Sequence, residues 1–418
     1  MAQRGIREFH AKKILARYLK EYSNGKFHYD GKVALVTPEY SIDQAAKDNE
    51  WIKEVPLTVK PDQLFGKRGK HGLVLLNASF EQAKQWIAEK MGKEVQVGKT
   101  KGILTHFLVE PFVPHDKEYY IAIKTESDGD RIYFSNEGGI DIEENWEKVQ
   151  QFFVPILGSI DDVDLSVLEP LIRDFVKALY KIFVDLDFTY LEINPFTIVG
   201  NEVIPLDLVA RLDDTAYFWN KDKWGDVEFP TPFGRTFTKE EEFIKELDEK
   251  TGASLKLTVL NPKGRVWLLV AGGGASVIYA DTVVDLGFGS ELANYGEYSG
   301  NPSEEETYLY AKTIIDLMTR EKDPRGKVLI IGGGIANFTD VAKTFKGIIR
   351  ALREYKEKLK ENNVKIYVRR GGPNYKEGLK LMKELGEEIG IPIEVYGPEL
   401  PMTRVVTLAL KGGANEGN

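Results

Sequence analysis

The sequence predicts an α/β protein whose C-terminal half is a doubly wound, mostly parallel sheet. After about residue 255, four buried-type strands, in GRVWLLVAGGG, KVLIIGGG, VKIYVRRGG and IPIEVYG, alternate with helical segments. Three of these strands end in glycine-rich stretches, at Gly272–Gly274, Gly332–Gly334 and Arg369–Gly372. Ligands of such sheets sit at the carboxyl ends of the strands, so three glycine-rich ends in one sheet point to a single anion-binding crevice.

The elements follow in order. REFHAKKILARYLKEY reads as an amphipathic helix packed on a later element. From about 32 to 110, the β-rich runs KVALV, PLTVK, HGLVLL and ILTHFLVE surround one helical segment, SFEQAKQWIAEKMG. Then EYYIAIKT and DRIYFSN precede the helix LEPLIRDFVKALYKIFVDL and the run FTYLEINPFTIVGNEVIPLDLVARLDD. KDKWGDVEFPTPFGRTF, rich in Pro, Gly and aromatics, reads as a connection. In SEEETYLYAKTIIDLMTRE, Ser303 and Glu306 form a capping box. In IGGGIANFTDVAKTFKGIIR, apolar residues from Ile335 and Phe338 onward recur at helical spacing. Asn337, with Asp340 three residues on, is the expected N-cap. A glycine loop opening a helix offers backbone N–H groups and a favourable dipole to an anion. The tail KGGANEGN is expected to be disordered.

At 418 residues the chain has room for two or three compact units. Its net charge of −9 argues against nucleic-acid binding through a broad basic surface. With no cysteine, disulfides, thiolate metal sites and cysteine nucleophiles are excluded together. No run has transmembrane length and no signal-type apolar region opens the chain, so a cytoplasmic protein without membrane partners is expected. The five histidines, His10, His28, His71, His106 and His115, show no metal-ligand spacing and read as ordinary hydrogen-bonded or surface residues.

Two phosphate motifs fail on counting. VGKT lacks a glycine at the Walker spacing, because Gly92 is one residue too far away. AGGGASV and IGGGIAN lack the third glycine of a dinucleotide fingerprint, which disfavours a nicotinamide enzyme. The run from 190 to 210 says more. With Gly200-Asn201 as a two-residue turn, Val199 faces Glu202 and Asn194 falls opposite Asp207. An amide oxygen and a carboxylate side by side suit Mg²⁺. An ordinary cross-strand polar pair is the plainer alternative. Lys60 ends a strand-like run before the basic loop Lys67-Arg68-Gly69-Lys70, which either cradles phosphates or is a solvated turn. VEPFVPHDKE follows, a Pro-bounded apolar linker with backbone groups for an adenine edge and Glu118 for ribose hydroxyls.

That order, basic strand, hinge linker, then carboxylate and amide hairpin, resembles an ATP-grasp domain. The chain is similar to the nucleoside-diphosphate-forming acyl-CoA synthetase superfamily, sharing the AKKIL helix, the EINP hairpin and the GG-x-ANF-x-D helix start with succinyl-CoA synthetase β subunits. Within it, VKPDQL, KRGKHGLV, TYLEINP, KWGDVEFPTPFGR, ELANYGEYSG, IGGGIANFTDVA and VRRGGPNYKEGL resemble the N-terminal portion of the ATP-citrate lyase family. The resemblance implies an ATP-grasp domain over residues 1–238, with a smaller lobe inserted at about 20–111. A citrate-binding, CoA-ligase-type domain would occupy residues 239–418.

It further implies that ATP phosphorylates a histidine, that the phosphoryl group passes to citrate, and that CoA gives citryl-CoA, cleaved to acetyl-CoA and oxaloacetate. ATP would fall on Lys60, Arg68, Gly69, Pro111, Val113 and Glu118, and Mg²⁺ on Asn194 and Asp207. A further metal would be held by Asp248, Thr251 and Ala253, mostly through backbone oxygens, unless these are a helix C-terminus capped by Gly252. Citrate would fall on Gly300, Asn337, Thr339, Arg370 and Tyr355. An unbroken helix would place Tyr355 roughly 24 Å from Thr339. Arg370 supplies a planar fork for carboxylate oxygens, while Arg369, pointing to the opposite face, is expected in a surface salt bridge. No histidine lies in a G-H-A-G-like loop and no CoA-binding fingerprint is present. The phosphohistidine, most of the CoA site and the cleavage machinery are therefore expected on a second lyase subunit, and no catalytic residue of that kind in this chain. The small polar end near Gly412–Asn418 favours a separate subunit over a cut chain. Two rival readings are a β subunit of a succinyl-CoA or other acyl-CoA synthetase, and a non-catalytic carboxylate-binding scaffold.

Overall fold

The computed structural model describes residues 3–139, 142 and 146–412. The expectation for the tail concerns mainly residues 413–418, which lie outside the described residues. The chain divides into two compact units, Met1–Thr236 and Phe237–Asn418.

Unit 1 runs through β1 (Gln3–Ile6), α1 (Glu8–Tyr22), β2 (Ala34–Val36), α2 (Ile42–Asp48), α3 (Trp51–Glu54), β3 (Leu57–Pro61), β4 (Leu75–Ala78) and α4 (Phe80–Lys90). β5 (Glu94–Val97), β6 (Thr100–Ile103), β7 (Phe107–Pro111), β8 (Tyr119–Thr125), β9 (Gly129–Ser135) and β10 (Gln150–Pro155) follow. The unit closes with α5 (Pro170–Asp185), β11 (Phe188–Val199), β12 (Glu202–Pro205), β13 (Leu208–Asp213) and α6 (Tyr217–Trp224). A seven-stranded antiparallel sheet has the order β1-β13-β11-β8-β9-β10, with β12 paired to β11. Its apolar face is covered by α1 and α5 through Ile14, Leu15, Leu19, Phe175, Leu179 and Phe183. A smaller lobe, with the four-stranded order β2-β7-β3-β4, has its own core around Val36, Ile52, Leu57, Val59 and Phe107.

The turn at Gly200-Asn201 sets the register as the sequence predicts: Val199 pairs with Glu202, Phe196 with Pro205, and Ile193 with Leu208. Asn194 therefore stands opposite Asp207, and its N–H donates to the Asp207 carbonyl at 2.9 Å. The ladder is not continuous. It breaks at Leu206–Asp207, whose two N–H groups both turn to the Pro195 carbonyl.

Unit 2 runs through α7 (Lys239–Lys250), β14 (Ser254–Val259), β15 (Val266–Ala271), α8 (Gly273–Val283), β16 (Asn294–Ser299), α9 (Glu304–Thr319) and β17 (Val328–Gly333). It continues with α10 (Val341–Glu354), α11 (Lys356–Glu361), β18 (Lys365–Arg369), α12 (Tyr375–Ile389), β19 (Ile393–Tyr396) and α13 (Met402–Lys411). The sheet order is β14-β16-β15-β17-β18-β19, parallel except for β14. Side chains alternate strictly between faces. Trp267, Leu269, Leu329, Ile331, Ile366 and Val368 pack with α9, α10 and α12. Leu268, Val270, Ile330 and Tyr367 pack on the other face, with α8 and α13. The chain leaves β15 toward β16 on one side and later adds β17 on the other. The reversal of strand order, where such folds bind ligands, thus falls between the ends of β15 and β17.

The helix expected after Gly332–Gly334 starts later than its apolar spacing implies. Asp340, not Asn337, is the N-cap, its carboxylate accepting from the Lys343 N–H. Ile335 and Phe338 lie in the preceding loop, 70% and 69% exposed, and belong to no helix face.

Candidate functional site

Unit 1 holds a cavity of about 650 Å³. The strand β3 delivers Lys60 to its wall, and the loop after β3 delivers Arg68 and Gly69. The Lys60 ammonium is buried between Glu8 Oε1 at 2.8 Å and Glu110 Oε1 at 3.0 Å, and also donates to the Leu206 carbonyl. Arg68 donates to Glu8 Oε2 at 2.6 Å, to the Pro61 carbonyl at 2.9 Å, and to the Asp207 carboxylate. Behind them Lys12, fully buried, reaches Glu8 Oε1 at 2.8 Å and Glu110 Oε2 at 2.5 Å. Burial opposes ionisation of Glu8, but Lys12, Lys60 and Arg68 together hold its carboxyl well below the usual carboxylate range. For Arg68, burial is likewise overcome by Asp207 and Glu8, which push its pKa up.

On the neighbouring strand Pro111 ends β7, and Val113, His115 and Glu118 follow it along the cavity. His115 is held at both nitrogens, Nδ1 by the Val113 carbonyl at 2.7 Å and Nε2 by Glu118 at 2.9 Å. Burial opposes its protonation, and the Glu118 carboxylate reverses that and pushes the imidazole up. Asn194 and Asp207 complete the wall, with Asn194 Oδ1 accepting the Gly139 N–H at 2.8 Å. Lys60, Arg68, Gly69, Pro111, Val113, Glu118, Asn194 and Asp207, eight residues from four separate segments, thus line one cavity. The paired amide oxygen and carboxylate are the hard donors Mg²⁺ takes, one or two from protein with phosphate and water completing the octahedron. Among the described residues no group of three His, Cys, Asp or Glu is arranged to hold a metal.

In unit 2 the crevice at the strand-order reversal is built on glycine for steric reasons. A Cβ at Gly332 would meet the Tyr279 ring at 2.4 Å, and one at Gly333 would meet Arg370 Nη1 at 2.7 Å. Arg370 is 4% exposed. Its Nη1 donates to the Gly334 carbonyl at 2.7 Å, and its Nε has no partner. Burial pushes its pKa down; the hydroxyls of Tyr298 and Tyr279 oppose this, Arg369 adds to it, and no carboxylate contributes. Among the described residues this buried cation meets no anion. The Gly334–Asp340 loop carrying Asn337 and Thr339 is tied to the end of β18 by the Ile335–Gly371 bridge. Asn301, next to Gly300, accepts the Asp340 N–H at 3.4 Å. Gly300, Asn337, Thr339 and Arg370 therefore gather at the carboxyl edge of the sheet.

Three expectations need correction. Tyr355 is not at this edge: it caps the C-terminal end of α10, about 21 Å along a 14-residue helix, and its hydroxyl donates to Asp316 at 3.1 Å. Arg369 is not a surface salt bridge. It is 5% exposed and donates to the carbonyls of Gly333, Leu400 and Pro398. The Asp248 carboxylate accepts the Leu255 N–H at 2.7 Å and the Lys256 ammonium at 2.5 Å, beside Thr251 and Ala253 just past the end of α7. Thr251 is the C-cap of α7, and Gly252 does not adopt the left-handed conformation of a capping glycine.

Known families match both units. The ATP-citrate synthase ATP-grasp domain matches residues 2–224, and the ATP citrate lyase citrate-binding domain matches residues 235–412. This chain belongs to the ATP-citrate lyase family. It is 52% identical to ATP-citrate synthase alpha chain protein 2 of Oryza sativa subsp. japonica, over 98% of this chain and 99% of that protein. It is 50% identical to the ATP-citrate synthase of Mus musculus, over 98% of this chain but 38% of that protein. A solved structure of ATP citrate lyase from Methanothrix soehngenii, in complex with citrate and coenzyme A, superposes with a TM-score of 0.91 at 57% identity, covering 98% of this chain and 100% of that one. The fold is accordingly an ATP-grasp unit followed by a CoA-ligase-like unit, and neither rival reading is favoured.

For this ATP-citrate lyase family member, sequence patterns passed over Glu8, Lys12, Glu110 and His115. Glu8 and Lys12 were visible only as an i,i+4 pair, which resembles any solvated helix face.

Proposed function

We propose that this chain is the nucleotide- and citrate-binding subunit of an ATP-citrate lyase. Its ATP-grasp part (1–238, with the smaller lobe at about 20–111) binds ATP, and its CoA-ligase-type part (239–418) binds citrate. The observation that carries the reading is Arg370: a buried guanidinium that meets no carboxylate among the described residues, at a glycine-lined strand-end crevice, in a chain whose other unit has a cation-walled cavity. A tricarboxylate supplies the missing anion. In the cavity, Lys60, Arg68 and the Gly69 turn face the triphosphate, Pro111 and Val113 offer backbone to the adenine, and Glu118, held by His115, faces the ribose. Asn194 and Asp207 would hold Mg²⁺, which when bound neutralises phosphate charge in the transition state.

Phosphoryl transfer breaks the bond from the γ-phosphorus to its bridging oxygen and forms a phosphorus–nitrogen bond to a histidine of the partner subunit, with ADP leaving. The phosphoryl group then passes to citrate beside Asn337, Thr339, Gly300 and Arg370, and CoA, bound mainly by the partner, displaces it. Relatives named as alpha chains support a partner here. A cytoplasmic location is part of the proposal and rests on composition.

The test is labelling with γ-³²P ATP. The isolated chain stays unlabelled, since both nitrogens of His115 are engaged, and the label appears on the partner when it is added. Stable, acid-labile label on a histidine of the isolated chain would contradict the assignment.

A further inference from the structure

We propose that Glu8, the first residue of α1, is a positioning residue for phosphoryl transfer, fixing the spacing of Lys60 and Arg68 over the nucleotide cavity. This rests on the nucleotide reading above. Glu8 stands behind the cavity wall with its side chain 2% exposed. Its two oxygens divide the work. Oε1 takes Lys60 at 2.8 Å and Oε2 takes Arg68 at 2.6 Å, so one rigid carboxylate sets the distance between the two cations. Its own place is fixed from three sides. Lys12 holds Oε1 from the far side at 2.8 Å, and the Leu208 N–H, beside Asp207, donates to Oε1 at 3.3 Å. The Asp62 carboxylate accepts the Glu8 and Phe9 N–H groups at 2.8 and 3.0 Å, capping α1 onto the segment that carries Lys60 and Arg68.

Without Glu8 the cations lose their common reference. Lys60 keeps Glu110 and the Leu206 carbonyl, and among the described residues Arg68 keeps only Asp207 as a carboxylate partner. Arg68 then settles on the group proposed to hold Mg²⁺ and is withdrawn from the phosphates. Protein kinases show the general need, since their catalytic lysine works only with its glutamate ion pair in place. A carboxylate lost near the phosphates favours anion binding, while misplaced cations disfavour it. Nucleotide affinity therefore changes little while the transfer step suffers.

The experiment compares Glu8→Gln, Glu8→Asp and Leu179→Ala in the chain assembled with its partner subunit. ATP affinity is read by calorimetry, phosphoryl transfer by single-turnover labelling, and stability by thermal unfolding. Glu8→Gln should slow transfer about 100-fold, the usual consequence of an ångström-scale misplacement, with ATP affinity within about fivefold of wild type. Glu8→Asp should recover part of the rate. Leu179→Ala, which opens a cavity in the core under α5 away from these charges, should lose comparable stability and keep transfer within about fivefold. If Glu8→Gln folds poorly, the Glu8→Gln/Lys12→Met double variant, which removes one charge of each sign, replaces it with the same slow transfer expected. Transfer within about fivefold of wild type in a folded Glu8→Gln or double variant overturns the proposal. So does an equal loss in Leu179→Ala, which would make the effect one of stability alone. A wild-type chain that binds no ATP would instead overturn the nucleotide reading itself.

Discussion

Replacing Arg370 by glutamine removes the guanidinium from the unit 2 crevice, and the structure gives that change an unusual signature. Among the described residues the Arg370 guanidinium makes one hydrogen bond, to Gly334, leaves Nε without a partner and faces the positive charge of Arg369. A buried charge without a counter-ion costs stability, so the variant should melt at the wild-type temperature or slightly above it. Citrate binding should move the other way. A charge-assisted bidentate pair contributes roughly 1.5–3 kcal/mol, which converts to a loss of roughly 10- to 150-fold in citrate affinity. Arg370→Lys should recover only part, since a point charge does not reproduce the fork. Arg369→Gln behaves oppositely: it leaves the carbonyls of Gly333, Leu400 and Pro398 without their donor and lowers the melting temperature directly. The assay is calorimetric citrate titration with melting curves taken with and without citrate. At a citrate concentration of 100 times Kd, wild type gains about 2.7 kcal/mol, and Arg370→Gln at the same concentration gains far less. A destabilised Arg370→Gln that binds citrate within threefold of wild type would refute the reasoning, for the arginine would then be structural and citrate held elsewhere.

Two other predictions concern unit 1. Asp207→Ala should lose the Mg²⁺ dependence of ATP binding while costing about 1 kcal/mol or less in stability, because its side chain is 39% exposed and Arg68 keeps Glu8; calorimetry with and without Mg²⁺ checks this, and an unchanged Mg²⁺ dependence contradicts it. Burial, aided by Arg7, pushes the His106 imidazole from its ordinary 6.5 down to about 4, so the fold binds that proton less readily than the unfolded chain does. The stability tied to the neutral ring is complete above about pH 6.5 and is lost as pH falls toward 4. His106→Gln should flatten denaturant-unfolding stability across that window, and an NMR titration of His106 near 6.5 would contradict the assignment.

What was legible in the sequence was whatever local chemistry fixes. A Gly-Asn turn sets a register, so Asn194 could be counted opposite Asp207. Glycines at strand ends mark a crevice before any contact is known. Contacts across long sequence separations were not legible. Glu8 meets Lys60, Arg68 and Leu208 at separations of 52, 60 and 200 residues. The strand β16 was missed because NYGEYS is polar, yet Asn294 is buried, its side-chain amide pairing with both the N–H and the carbonyl of Leu268 at 2.8 Å. Arg369 was misread because alternation was taken to mean solvent on one face. A parallel sheet is covered on both, and here Pro398 and Leu400 close over that side. The start of α10 was misread because Ile335 and Phe338 keep a helical spacing without a helix. Asp340, fixed by the side chain of Asn374 at 2.9 Å, caps the chain three residues later.

The central claim is that nucleotide and citrate chemistry are joined in this chain and completed by its partner. The most direct measurement is acid-dependent ADP formation by the assembled subunits with Mg²⁺, ATP and CoA, supplied in parallel with citrate or succinate. Citrate should drive ADP formation with oxaloacetate appearing in equal amount, succinate should give only background, and the isolated chain should give neither. ADP formation with succinate at or above the citrate rate, or citrate-driven ADP formation without oxaloacetate, would contradict the account.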